Sequence, residues 1–317
     1  MADGRSGPIV HALTGGRRHT GDEATSAKDD QIRAVVRTAN VKGCGVRVDD
    51  LRLPFAVSTL GEALGEPAIV LPGGPCRGPE YLGEFAGLGS DHALAVLHPR
   101  GTPRSGGISR GWWTDAADVI TLADALGLDT IDLVAHSAGT RLALAAAAQF
   151  PDRVRSMALV TPPATWLTGT PSDIESIAAE HAEREALDAL IAMSTDEPST
   201  ESDFRESFRR QAPASYAHWT PTEQAHADVG AVSLAAASAW FTDIPDDAVE
   251  RIRTMRSPRS LVIGGDQDLL TGVQPVRDYA ALLSADLALI ADCGHYPWIE
   301  QPAPFRHYLT TWLSTRP

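Results

Sequence analysis

The sequence predicts an α/β chain, a doubly wound and mostly parallel sheet with a helical cap inserted into it. Three observations carry that prediction. Short apolar runs without alternation recur at Ala68 to Leu71, Ala93 to Leu97, Ile131 to Ala135, Met157 to Val160, Leu261 to Ile263 and Leu287 to Ile290, as strands buried on both faces require. Segments of helical period lie between them, and strands alternating with helices make a parallel sheet. From about Pro163 to Asp247 no buried strand is readable, and the pattern there is helical.

Composition bounds the class before any motif does. Of 317 residues, 43% are hydrophobic and 21% charged, the profile of a soluble globular protein. Lys and Arg number 27 against 41 Asp and Glu, a formal charge of −14, so neither nucleic acid nor an anionic membrane is an expected partner. Cys44, Cys76 and Cys293 are odd in number and show no C-x-x-C spacing. That excludes a disulfide framework or a zinc site as the organising feature and suits a reducing cytoplasm. Residues 1–30 lack the apolar stretch of a signal peptide and read as a flexible leader. The core is then expected over 31–162 and 248–317, with 163–247 as the cap.

In chain order, Ile32 to Val41 and Gly45 to Thr59 alternate in polarity and predict an opening antiparallel pair. The clearest helix takes Thr114 as N-cap, carries Val119, Leu122, Ala123 and Leu126 on one face, and stops at Gly127. Ser137 follows the Ile131 run directly, and good helix formers follow it, from Leu142 to Ala148. In the cap, Ser172 and Glu175 are spaced as a capping box opening a helix from Ser172 to Met193, with Ile174, Ile177, Ala178, Leu187, Leu190 and Ile191 as its apolar stripe. Further helices are expected at Ser202 to Gln211, Thr222 to Ala227 and Ala231 to Phe241.

Chemistry concentrates where strands end. Ala135-His136-Ser137-Ala138-Gly139 differs by one residue from G-x-S-x-G, a strand-to-helix corner that exposes a nucleophilic serine and needs small residues on either side. Taken alone, Ser137 is equally a helix cap. A nucleophile needs a base, and the base needs an acceptor that fixes its tautomer. The Leu261 run ends in Gly264-Gly265-Asp266-Gln267-Asp268, and the Leu287 run in Asp292-Cys293-Gly294-His295-Tyr296-Pro297-Trp298. The remaining histidines show no spacing that suggests a metal.

GGDQDLLTG resembles the acid turn of α/β-hydrolases, and CGHYPWIEQP resembles their G-H-x-P-x-x-E-x-P histidine loop. The loop Leu71-Pro72-Gly73-Gly74-Pro75-Cys76 looks like the H-G-G-P-G of the proline iminopeptidase-like branch, with Pro72 in place of the histidine and Cys76 in place of the last glycine. A fourth match, His98-Pro99-Arg100-Gly101-Thr102-Pro103-Arg104-Ser105, resembles a structural turn of the same family. The resemblance implies an α/β-hydrolase fold with Ser137 as nucleophile, Asp268 rather than Asp266 as acid, and His295 as base. It also implies the backbone N–H groups of Gly74 and Ala138 as the oxyanion hole.

Gly73, His136, Tyr216, Trp219 and Trp298 are candidate pocket residues, with Trp240 and Phe241 as further apolar wall or cap packing. His136 is expected to line the pocket or pack rather than act as base. The acidic residues Asp173, Glu175, Glu180, Glu183, Glu185, Asp203 and Glu206 are either a receptor for a substrate amine, as in iminopeptidases, or a solvated face. The function expected is a serine hydrolase that cleaves an amide or ester of a small molecule or short peptide through an acyl enzyme, with an aminopeptidase as one form of it. A ligand-binding protein on the same scaffold, and an acyltransferase or cyclase, are the alternatives. None of these residues requires a metal or an organic cofactor.

Overall fold

The computed structural model describes residues 51–315. The leader, the expected strand at Ile32 to Val41 and Cys44 lie outside them. Seven strands form one sheet: β1 Val57–Leu60, β2 Ala68–Leu71, β3 Leu94–Leu97, β4 Ile131–His136, β5 Val154–Val160, β6 Arg259–Gly265 and β7 Asp286–Ile290. Their order is β1-β3-β2-β4-β5-β6-β7, and only the β1–β3 pair is antiparallel. All six apolar runs are strands. Of the stretch from Gly45 to Thr59, residues 45–50 also lie outside the described residues, and within 51–59 the sheet takes in Val57 to Thr59, in β1.

Alternate residues of the central strands enter two cores. Ile69, Leu71, Leu133, Met157 and Leu159 face one side; Ala68, Val70, Val134, Ala158 and Val160 face the other. Helices Trp112–Ala125 and Gly139–Gln149 cover the first side, and Pro302–Ser314 packs on the second. Because both faces are dry, the strands show no alternation in sequence. The strand order reverses between β2 and β4, and a cleft opens beyond the carboxyl ends at such a reversal.

Three local expectations are corrected. The helix ends as its spacing predicts, with Leu128 N–H to Ala123 C=O and Gly127 N–H to Asp124 C=O. It starts at Trp112, however, with Gly111 rather than Thr114 at the cap. The single helix from Ser172 to Met193 is two, Ile174–His181 and Arg184–Thr195, and the first has Asp173 at its cap without a capping box. The Asp173 carboxylate instead accepts from Val273 and Gln274 N–H, at the start of helix Gln274–Leu282. Of the expected apolar stripe, Ile177 and Ala178 are buried and Leu190 is partly buried, but Leu187 and Ile191 are 42% and 61% exposed, and the second helix buries Ala186, Ala189, Ala192 and Met193 instead.

The helices Glu201–Gln211, Pro221–Ala227 and Leu234–Ala239 lie within or close to their expected spans. Thr200 and Thr220 each close a capping box, with Asp203 and Glu223. Residues between β5 and β6 therefore form a helical insertion between two adjacent strands, and several of them line the cavity described next.

Candidate active site

Ser137 stands one residue beyond β4 at φ +50, the left-handed region that an L-residue occupies only under constraint. The constraint is crowding from both sides. A Cβ on Gly139 would lie 2.4 Å from Leu71 O, and one on Gly73 would lie 2.7 Å from Ser137 Cβ, so the β2 loop and the serine turn touch through bare backbone. Ala135 is fully buried in the β4 ladder opposite Leu71, and the turn closes with alanine there. The Ser137 hydroxyl has no hydrogen-bond partner among the described residues; Thr140 N–H and Oγ1–H both bond back to Ser137 C=O. The hydroxyl therefore does not cap the following helix.

His295 and Asp268 lie beyond β7 and β6. The Asp268 carboxylate is fully buried and accepts from Leu270 N–H at 2.8 Å, Thr271 N–H at 3.2 Å, Thr271 Oγ1–H at 2.6 Å and His295 Nδ1–H at 2.8 Å. With Nδ1 committed as donor to a carboxylate, Nε2 of the neutral ring is left as acceptor. Asp266 makes no contact with His295, and its Oδ1 is buried without a partner among the described residues. Ser137 and His295 line one cavity. No hydrogen bond joins the hydroxyl to Nε2 in this structure; such bonds are often long until substrate tightens the site.

His136 joins these parts from behind. Its Nε2 lies 3.1 Å from His295 O, a carbonyl that only accepts, so Nε2 carries the proton and Nδ1 accepts from Tyr81 O–H at 2.8 Å. The Tyr81 oxygen in turn accepts Gly73 N–H at 2.6 Å. Burial and the neighbouring His295 hold the His136 pKa well below its ordinary value, consistent with that neutral tautomer. One fully buried chain of hydrogen bonds thus ties the β2 loop, the serine turn and the histidine loop together.

The same chain braces the loop in which Pro72 stands where the family has histidine. Besides Tyr81, Gly78 N–H bonds Ala231 O at 2.8 Å, and the Arg77 guanidinium reaches Val229 O and Ala227 O in the insertion. Cys76 keeps the left-handed backbone, φ +57, expected of the glycine it replaces. Gly74 lines the cavity with φ +62, and neither its N–H nor that of Ala138 is bonded to another described residue. Both are thus left for a ligand. On the histidine loop, Glu300 accepts Ala217 N–H at 2.7 Å and Gly294 N–H at 3.0 Å, and burial pushes its pKa up to about 7.

The cavity walls include Met193, Phe204, Phe208, Tyr216 and Ala237 of the insertion, with Leu270 from the core. Three candidates do not line it. Gly73 lies behind Gly74, its N–H on Tyr81 Oη and its Cα side against the Ser137 turn. Trp298 is buried behind His136, ring centroids 4.7 Å apart, and Trp219 packs on the outer side of Tyr216 at 5.4 Å. Trp240 and Phe241 lie in or against the core on the far side of the sheet. His98 and Ser105 brace β1, through Ser58 Oγ at 2.9 Å and Ala56 N–H at 2.8 Å, the structural role expected of that turn. Cys76 and Cys293 are buried free thiols, their pKa values raised by desolvation. Among the described residues no group of His, Cys, Asp or Glu has a metal-binding arrangement, and no helix is long and apolar enough to cross a membrane.

Sequence reasoning missed Tyr81 and Arg77. No spacing marks either, because both act through partners brought near only by the folded chain.

A seven-stranded sheet with a strained serine turn beside the strand-order reversal defines an α/β hydrolase. Residues 67–302 match the alpha/beta hydrolase fold family, and the chain belongs to it. It is 33% identical over 131 residues to N-formylmaleamate deformylase of Pseudomonas putida. That match covers 40% of this chain and 46% of the other, so it spans less than half of that relative's length. Among solved structures, the esterase RhEst1 from a Rhodococcus species superposes with a TM-score of 0.63 at 19% identity, over 82% of this chain and 94% of that one. The esterase EaEST from Exiguobacterium antarcticum gives 0.63 at 16% identity, over 82% and 96%. At these identities the likeness shows the fold.

Proposed function

We propose that the chain is a serine hydrolase that cleaves an ester or amide of a small molecule through an acyl enzyme. Ser137 Oγ attacks the carbonyl carbon while His295 Nε2 takes its proton, and Asp268 holds Nδ1–H and stabilises the imidazolium. The N–H groups of Gly74 and Ala138 receive the developing oxyanion. His295 then passes the proton to the leaving group, and water, deprotonated by the same nitrogen, releases the acyl group. Residues 163–247 serve as the cap that roofs the pocket.

The observation that carries this reading is the buried His295–Asp268 bond of 2.8 Å opening onto the cavity that Ser137 lines from a left-handed turn. Support also comes from the family, whose similar structures include esterases, and from a relative named as a deformylase. No carboxylate of the described residues lines the cavity, so a free substrate amine has no acidic receptor there. Of the acidic cap residues, Asp173 caps a core helix and Asp203 closes its own capping box. The reading is therefore an esterase or amidase without an amine requirement.

The test is a substrate panel of p-nitrophenyl esters and aminoacyl naphthylamides, run on the wild-type chain and Ser137→Ala. Ester turnover lost in Ser137→Ala is expected. Turnover of prolyl or alanyl amides that needs a free amino group would restore the aminopeptidase form. Absence of turnover on every substrate would favour the ligand-binding alternative, and acyl transfer to an added amine or alcohol in preference to water would favour the transferase.

A further inference from the structure

The Arg77 side chain raises a question of charge. It is 1% exposed and lines the same cavity as Ser137 and His295. A guanidinium taken out of water ordinarily pairs with a carboxylate. Other arginines here do so: Arg100 and Arg110 with Asp118 and Asp115, and Arg155 with Asp132. No aspartate or glutamate among the described residues pairs with Arg77.

Its hydrogen-bond partners are neutral. Nε–H donates to Val229 O at 3.0 Å, Nη2–H to Val229 O at 2.5 Å, Ala227 O at 3.2 Å and His226 O at 3.4 Å, and Nη1–H to Tyr296 Oη at 2.9 Å. Two of these carbonyls end helix Pro221–Ala227, and a helix end supplies only about half a negative charge. Nη1 carries two hydrogens and has one acceptor. Positive charge and one N–H are thus left at the wall of an otherwise largely apolar cavity.

The setting fixes where an anion would sit. The guanidinium carbon stacks 4.6 Å from the Tyr81 ring centroid and 5.2 Å from that of Phe208, so an approaching group is aligned edge-on. Tyr296, whose hydroxyl meets Nη1, has its ring centroid 5.3 Å from that of His295. Tyr296 thus stands between Arg77 and the His295 ring, and an anion at Nη1 shares one cavity with Ser137 and His295. Burial lowers the pKa of His136 and of His226, whose carbonyl Arg77 meets, so neither ring supplies a competing charge.

We propose that the substrate is a monoanionic ester or amide whose carboxylate docks on Arg77 while its scissile carbonyl meets Ser137. One free N–H suits a carboxylate better than a dianionic phosphate, which would leave a second charge in apolar surroundings. The proposal rests on the hydrolase reading above. It adds the substrate class and makes Arg77 a specificity-determining residue.

The test compares mono-p-nitrophenyl glutarate with p-nitrophenyl pentanoate, similar in length and different in charge. The wild-type chain is expected to favour the glutarate by about ten- to hundredfold in kcat/KM, mainly through KM, the range of a charge-assisted hydrogen bond. In Arg77→Gln the ratio of the two esters falls to one or below; a ratio cancels any loss common to both. A wild-type preference for the pentanoate overturns the proposal, and so does a glutarate preference that survives in Arg77→Gln. If neither ester is turned over, the hydrolase reading fails, and calorimetric titration with glutarate decides the anion site separately. Binding that is at least tenfold weaker in Arg77→Gln than in wild type upholds the site, and no such difference removes it.

Discussion

Tyr81→Phe deletes one oxygen and tests the brace behind the serine turn. That oxygen accepts Gly73 N–H at 2.6 Å and donates to His136 Nδ1 at 2.8 Å, with Tyr81 itself 1% exposed. Phenylalanine fills the same space, so no cavity forms and the loss is that of hydrogen bonding. Two buried groups are left unpaired, and each costs about 1–3 kcal/mol, giving roughly 2–6 kcal/mol of lost stability in urea unfolding. The catalytic effect follows from position. Gly73 adjoins Gly74, and a shift of about 1 Å at a positioned group costs on the order of a hundredfold, so kcat on p-nitrophenyl acetate should fall about ten- to hundredfold. Tyr308→Phe, at a tyrosine 39% exposed, serves as control and should stay within about 0.5 kcal/mol of wild type. Stability within 0.5 kcal/mol and kcat within twofold for Tyr81→Phe would refute the brace.

Further predictions concern the turn and the histidine loop. Gly139→Ala places a methyl 2.4 Å from Leu71 O and 2.6 Å from Pro72 O, so the β2 loop must retreat. We expect about 1–3 kcal/mol of destabilisation by overpacking and a loss of kcat on the order of a hundredfold, measured by urea unfolding and ester hydrolysis. Ala135→Gly, which restores the family glycine where alanine already fits, should leave kcat within about twofold and lower stability by roughly 0.5–1 kcal/mol. For Glu300 the folded pKa is raised from 4.5 to about 7, so the folded chain holds a proton that the unfolded chain has released. Its contribution is full below pH 4.5 and is lost as pH rises through about 7, a change of up to about 3 kcal/mol. Subtracting the Glu300→Gln stability curve from the wild-type curve should isolate that slope; parallel curves between these pH values would contradict it.

Strands and motifs at strand ends were legible because each is written in neighbouring residues. Runs such as Ala68 to Leu71 have both faces buried, and their short length separates them from the longer buried run of helix Gly139–Gln149. The pairing of Asp268 with His295 is what the resemblance of their two turns to those of α/β-hydrolases implies, and the two side chains meet at 2.8 Å. Legibility fell where a choice of face or partner is made in three dimensions. Leu187 and Ile191 look like core residues, yet helix Arg184–Thr195 packs by its alanine face because close approach to the 212–215 turn favours small side chains. Asp173 caps a helix one hundred residues away, Tyr81 meets His136 across 55 residues, and Arg77 meets Tyr296 across 219. Trp219 and Trp298 are aromatic residues near the site in sequence that pack behind its walls.

A nucleophilic Ser137 activated by His295 reacts covalently with a fluorophosphonate, and labelling with that reagent tests the assignment. Intact mass and peptide mapping should find one adduct per chain, on Ser137, absent from Ser137→Ala and formed at least a hundredfold more slowly in His295→Ala. An unlabelled Ser137 in the folded wild-type chain, or an adduct that persists in Ser137→Ala, would contradict it.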